Sequence, residues 1–250
     1  MQNYRITVSY DGTRYLGWQK QGKLGDKDFD STIQGKLERI LFKKTGKEIA
    51  VNGSGRTDAG VHAIAQVANF ILPKAEPEEE LKAYFNEYLP EDIAVTEVKK
   101  AEERFHARLS AKAKRYLYRI QNSAQSNVFE RKYMYQIPEH LDVEAMEEAA
   151  GYLMGEHDFK SFCANKRMKK STVRTIYDIE IEREGDEVSL LFYGNGFLYN
   201  MVRILTGTLI EVGLHERRPE EMPLILEACD RASAGVTAPA RGLTLVEVEY

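Results

Sequence analysis

The chain has 250 residues, 43% of them apolar and 30% charged, with a formal net charge of −4. That mix fits a globular protein with room for one large or two modest domains, and it excludes a disordered or fibrous chain. No apolar run approaches the roughly 20 residues that a membrane helix needs, and the only cysteines, Cys163 and Cys229, lack the CxxC spacing of a zinc site.

Tyr4, Ile6, Val8 and Tyr10 alternate with polar residues and predict a strand that ends at Asp11-Gly12. The strand begins so near Met1 that no signal peptide is expected. With the unpaired cysteines, this points to a cytoplasmic protein. Gly22–Asp30 reads as a polar loop. Ser31-Thr32-Ile33-Gln34 then reads as a capping box, with Ser31 as the cap, ahead of a helix to about Lys44. Strands are expected at 48–52 and 63–70, a helix from Glu78 to Tyr88, and a strand from Ile93 to Lys99. The order β-α-β-β-α-β marks a ferredoxin-like half.

The rest of the chain repeats the theme. Lys114–Gln121 alternates as a strand, and Asp142–Met154 has a helical apolar stripe. Ile176–Arg183 and Glu187–Tyr193 make a hairpin, Phe197–Val212 and Pro219–Cys229 read as helices, and Leu243–Glu249 closes as a strand. The expected fold class is α+β: two ferredoxin-like halves, 1–102 and 103–250, sharing a central, mainly antiparallel sheet.

The net charge hides a segregation. Arg104, Arg108, Lys112, Lys114, Arg115 and Arg119 lie in a stretch with no acid, and so do Lys160, Lys166, Arg167, Lys169, Lys170 and Arg174. The acidic residues gather elsewhere, as in Glu76–Glu80 and Asp142–Glu148. Basic runs are usually solvated surface, but two acid-free stretches in one chain suit a polyphosphate partner such as nucleic acid.

The densest stretch is Asn52-Gly-Ser-Gly-Arg-Thr-Asp-Ala-Gly-Val-His62-Ala63. It lacks the Gly-Lys-Ser/Thr of a phosphate-binding loop and the third glycine of a dinucleotide fingerprint. An Asp before Ala-Gly is most often a turn residue. Arg56 and Asp58, however, share a side of an extended backbone, which places a guanidinium near a carboxylate in a glycine-lined, accessible setting.

Gly55–Ala63 resembles the signature of the tRNA pseudouridine synthase A family. Further pieces match in order across nearly the whole chain: Tyr10-Asp11-Gly12, Gly17-Trp18-Gln19, Leu89–Ile93, Phe105–Arg108, Lys114–Tyr118, Gly155–Phe162, Asn200–Arg203 and Thr237–Leu243. The resemblance implies a pseudouridine synthase fold and a homodimer. It also implies isomerisation of uridine to pseudouridine in the anticodon arm of tRNA, at positions 38, 39 and 40, without cofactor or metal. Asp58 matches the essential carboxylate, Tyr116 the active-site tyrosine and Arg203 the arginine that favours the Asp58 anion. Arg56 matches the residue that helps evict the target base. Phe105, His106, Ala107, Arg108 and Leu109, with Lys166, Arg167, Met168, Lys169 and Lys170, match segments that contact RNA, as Tyr116 does. His62 and His106 read as positioning or RNA-contacting residues, and no zinc-deaminase ligand set is present.

Tyr116 is one of 14 tyrosines, and a core position is its plain alternative. Three features depart from the family pattern: a long 20–31 connection, Ala65 where glycine is common, and a Lys-rich 165–172 segment. They leave open a paralogue acting on another RNA, and an RNA-binding or RNA-folding protein without chemistry is the remaining rival.

Overall fold

The computed structural model describes residues 1–165 and 167–250. It divides into two compact units, Met1–Lys112 with Thr244–Tyr250, and Ala113–Leu243. Lys166, one of the expected RNA contacts, lies outside the described residues.

In the first unit, β1 (Gln2–Tyr10) pairs antiparallel with β3 (His62–Leu72) on one side and β4 (Ile93–Ala101) on the other. The short β2 (Asn52–Gly53) adds to β3 antiparallel at Asn69 and Ala68, and β10 (Leu243–Glu249) joins β3 parallel at His62 and Ala63. The β4-β1-β3-β2 order is the ferredoxin-like arrangement expected from the sequence. Two helices, α2 (Ile33–Thr45) and α3 (Glu78–Tyr88), supply the helical layer. The alternation of β1 explains the core: Tyr4, Ile6 and Val8 are fully buried. Phe70 stands opposite Tyr4 on β3, its ring 5.6 Å from Tyr4 and 5.8 Å from Phe85 of α3. Truncating such a ring would cost about 3–5 kcal/mol.

The second unit is also α+β. Here β5 (Ala113–Gln121), β9 (Glu187–Gly194), β8 (Val173–Glu184) and β7 (Gly155–Asp158) are antiparallel neighbours, and β6 (Tyr135–Gln136) pairs parallel with β5. α4 (Val143–Gly151) packs on β8 and on α5 (Met201–Gly213), and α6 (Met222–Ala228) follows. Nearly every residue of α5 is buried, which accounts for its continuous apolar sequence. Among the described residues, no helix is long and apolar enough to cross a membrane.

Several expectations are corrected. The cap of α2 is Thr32, not Ser31: Thr32 Oγ1 accepts from Gly35 N–H at 3.1 Å, while Ser31 Oγ donates to the Lys27 carbonyl. Gln34 does not reach back to the cap, because its amide donates to the Val51 carbonyl at 3.0 Å and its oxygen accepts from Lys20 N–H. The 22–30 segment contains a helical turn, α1 (Lys27–Asp30), pinned by buried Phe29. Of the expected 48–52 strand only Asn52 pairs, and β2 runs on to Gly53. α5 starts at Met201 rather than Phe197, because Asn200 has a left-handed backbone (φ 60°) that a helix cannot pass through. α4 ends at Gly151, before the expected Met154, and the Pro219–Cys229 segment begins as a 3₁₀ turn.

Thr32 is fully buried, and its hydroxyl also donates to Phe29 O at 2.8 Å. Thr32→Ala is therefore expected to lower stability by about 1–2 kcal/mol. Ser31→Ala should change it by less than about 0.5 kcal/mol. Urea unfolding of the two variants distinguishes the caps.

Candidate functional site

The Asp58 loop leaves β2 at Gly53 and re-enters the sheet at β3. Ser54 N–H donates to Val67 O at 2.7 Å, which starts the loop on the sheet. Gln66, on β3 with no exposed surface, accepts from Ser54 Oγ at 2.6 Å and donates through its amide nitrogen to the Gly55 carbonyl at 3.1 Å. The hydroxyls of Tyr10 and Thr57 lie 2.8 Å apart, both buried. Burial pushes the Tyr10 pKa up to about 12, against the pull of its hydrogen bonds to Thr57 and Gln66. Tyr10 is therefore a neutral structural hydroxyl at physiological pH.

Thr57 is buried, whereas Arg56 is exposed and Asp58 half-buried. Asp58 O then accepts from Val61 N–H at 3.1 Å and closes a turn.

The backing of this loop is the segment after β1. Trp18 N–H donates to Thr57 O at 3.0 Å. Gly17 has φ +93°, and a Cβ there would stand 2.5 Å from Thr57 O and 2.9 Å from the Asp58 carbonyl carbon. His62 is buried, and its Nδ1 lies 3.0 Å from Gly12 N–H and 3.2 Å from Asp11 Oδ1. A backbone N–H can only donate, so Nδ1 must accept from Gly12. Asp11 Oδ1 is occupied by Thr13 N–H and Thr13 Oγ1. His62 thereby ties the start of β3 to the Asp11-Gly12 turn.

Phe105–Leu109 sits in the same unit. Asn3 Nδ2 donates to Phe105 O and Asn69 Oδ1 accepts from Ala107 N–H, both at 2.9 Å. Ala107 is buried, Phe105 and His106 are half-buried, Arg108 is exposed and Leu109 is 80% exposed. This short segment is anchored from within and offers Arg108 and Leu109 outward.

The second unit holds the other expected residues. Tyr116, on β5, is buried with its ring edge-on to Phe197 at 5.3 Å. Arg203, on α5, donates from Nε to Ala238 O at 2.7 Å and from Nη1 to Asn200 Oδ1 at 3.0 Å, and its carbonyl accepts from Ala238 N–H. The left-handed Asn200 thus serves the guanidinium of a residue one turn away. Tyr118 donates to Pro239 O at 2.8 Å; burial raises its pKa and the Arg203 charge opposes the rise. Arg167, Lys169 and Lys170 are exposed and Met168 half-buried, on a turn where Asn165 Oδ1 accepts from Arg167 N–H. Among the described residues, no three His, Cys, Asp or Glu side chains gather as a metal site.

The structure thus brings Arg56, Asp58 and Phe105–Leu109 into one unit, and Tyr116, Arg203 and Arg167–Lys170 into the other. Sequence reasoning missed the supports: Tyr10, Thr57, Gln66, Asn3, Asn69 and Asn200. Gln66 and Asn69 carried a readable signal, as amides inside the otherwise apolar run from Ala63 to Leu72.

A family model described as tRNA pseudouridine synthase matches residues 6–109 and 149–250. The chain is 47% identical over its full length to the tRNA pseudouridine synthase A 2 of Bacillus anthracis, which it covers completely. It is 46% identical to the tRNA pseudouridine synthase A of Brevibacillus brevis, again with full coverage of both chains. Among solved structures, a chain of a Cbf5-Nop10-Gar1 complex matches 97% of this chain and 48% of its own at 13% identity and a TM-score of 0.39, a distant likeness.

Gly17→Ala is expected to displace the Asp58 loop and cost more than about 2 kcal/mol, since it adds a backbone clash to an unfavourable φ. Gly46→Ala, at φ +68° with nothing within 4 Å, should cost about 1 kcal/mol. Parallel thermal melts check the difference.

Proposed function

The chain belongs to the tRNA pseudouridine synthase family, whose members are isomerases that convert uridine to pseudouridine, and from that premise we propose that it acts on the anticodon arm of tRNA, at positions 38, 39 and 40. Asp58, Tyr116 and Arg203 are the proposed catalytic residues, and Arg56 the one that helps evict the target base. The observation that carries this reading is the Asp58 loop: the half-buried Asp58 sits on a backbone fixed by Tyr10, Trp18 and Gln66.

The reaction breaks the N1–C1′ bond and forms a C5–C1′ bond. C5 loses a proton and N1 gains one, so the atoms balance without a cofactor or metal. Cleavage develops positive character at the sugar, and a fixed carboxylate beside it stabilises that charge. A uridine in a paired stem must first leave the stack, at a cost of a few kcal/mol, and an aromatic face such as that of Tyr116 offers the base a new stacking partner. Arg108 and Leu109, with the exposed Arg167, Lys169 and Lys170 and with Lys166, are the proposed contacts to the RNA backbone. A homodimer working in the cytoplasm completes the proposal.

Asp58→Ala should lower pseudouridine formation by at least about 10³-fold while leaving RNA affinity within about threefold. Single-turnover assays and filter binding read the two quantities, and full activity in the variant would contradict the assignment. Affinity for RNA should also fall on the order of tenfold or more between 50 and 200 mM salt. A flat profile would reduce the basic stretches to ordinary surface.

A further inference from the structure

In the second unit, residues 234–239 run back along α5 as an irregular strap between the 3₁₀ turns Arg231–Ser233 and Ala240–Gly242. The Ala238 carbonyl of this strap accepts from Nε of Arg203 at 2.7 Å, and the next carbonyl, of Pro239, accepts from the Tyr118 hydroxyl at 2.8 Å. We propose that Tyr118 is a positioning residue for the reaction: through the strap, its hydroxyl fixes the orientation of the Arg203 guanidinium. The inference rests on the reading of Arg203 as catalytic.

The strap is tied down along its length. Gly235 N–H donates to Thr208 Oγ1 at 3.0 Å and Val236 N–H to Glu211 Oε1 at 2.9 Å, both on α5. Arg231 donates from Nη1 to the Ala234 carbonyl at 3.2 Å and from Nη2 to Thr237 Oγ1 at 3.0 Å. Gly207 has no room for a Cβ, which would collide with the Val236 carbonyl, so the strap backbone lies directly on the helix. Ala238 then meets Arg203 twice, since its N–H also donates to Arg203 O at 3.0 Å. Pro239 has no N–H by which it could be held. Its ring sets φ at −54°, so Pro239 ψ is the one soft torsion between the carbonyl on Arg203 and the carbonyl on Tyr118. Fixing the second carbonyl therefore fixes the first.

Tyr118 stands two residues beyond Tyr116 on β5, and both are buried, so they share the packed face of the strand. The Tyr118 hydroxyl thus ties the strand that carries the proposed catalytic tyrosine to the strap that holds the proposed catalytic arginine. A water in place of that hydroxyl would satisfy the Pro239 carbonyl without being fixed to β5. The ring itself is held by packing: it lies against Gly242, where a Cβ would stand 2.6 Å from Tyr118 Cζ. Tyr118→Phe therefore deletes the hydroxyl and leaves the ring in its place.

The test uses the full-length enzyme with tRNA. Tyr118→Phe is expected to lower kcat about tenfold and to leave KM and RNA affinity within about twofold, because it disturbs the arginine and none of the proposed RNA contacts. In isotopically labelled protein followed by NMR, the Arg203 Nε–H should exchange with solvent on the order of tenfold faster, since its bond to Ala238 O is loosened. A purely structural role would lower the melting temperature and leave both kcat of the folded enzyme and this exchange rate unchanged. Either a kcat within about twofold of the unsubstituted protein or an unchanged Nε–H exchange overturns the proposal. Should Tyr118→Phe fail to fold, Thr208→Val decides by the same criteria, because it removes the acceptor for Gly235 N–H at the other end of the strap, and Thr208→Ser should restore kcat. Arg203→Lys, run alongside, separates the two readings. Full activity there sinks the catalytic assignment of Arg203 and this inference with it, whereas activity lost there with Tyr118→Phe unaffected sinks only this inference.

Discussion

A buried amide has to find its hydrogen bonds inside the protein, and Gln66 finds them in the Asp58 loop. Its oxygen takes the Ser54 proton and its nitrogen reaches the Gly55 carbonyl. An orphaned amide in such a place would cost about 1–3 kcal/mol, so drift of the loop away from β3 is opposed by that penalty. The Tyr10–Thr57 pair and the Trp18 N–H bond to Thr57 add the same constraint from β1 and the segment after it. The outcome is a turn held to the sheet through Ser54, Gly55 and Thr57, with Arg56 exposed and Asp58 half-buried on either side of the buried Thr57. Preorganisation of this kind is what a carboxylate needs if it is to act on charge developing in a transition state.

The second unit solves a similar problem with a helix start. Asn200 adopts the left-handed backbone that asparagine tolerates better than most residues, which delays α5 and leaves its side-chain oxygen to meet Arg203. Ala238 supplies a carbonyl to the same guanidinium and an N–H to the Arg203 carbonyl. An arginine on a well-buried helix is thereby held in one orientation, which reduces the entropy lost when it engages a partner.

Periodicity made most of the framework legible. Alternation located β1 and β5, and the expected bounds of β4, β9, α2 and α3 hold to within a residue or two. The misreadings share a physical origin in competition between local options. Ser31 and Thr32 both offer a capping hydroxyl, and burial of Thr32 decided between them. Gln34 could have served the cap, but Val51 and Lys20 offered it tertiary partners. The parallel pairing of β10 with β3 joins positions far apart in the chain and leaves no local trace. Of the candidate site, Asp58 stood out through its motif, whereas Tyr10 and Thr57 looked like ordinary strand and loop residues. Their importance lies in which hydroxyl meets which acceptor, and a linear sequence does not display that.

The measurement that bears most directly on the account is residue-by-residue mapping of pseudouridine in an unmodified tRNA transcript after incubation with the purified protein. Pseudouridine appearing in the anticodon arm at positions 38 to 40, and absent when the carboxylate is replaced by Asp58→Asn, is the predicted result. A transcript left unmodified by the unsubstituted protein, or modified only outside that arm, would contradict it.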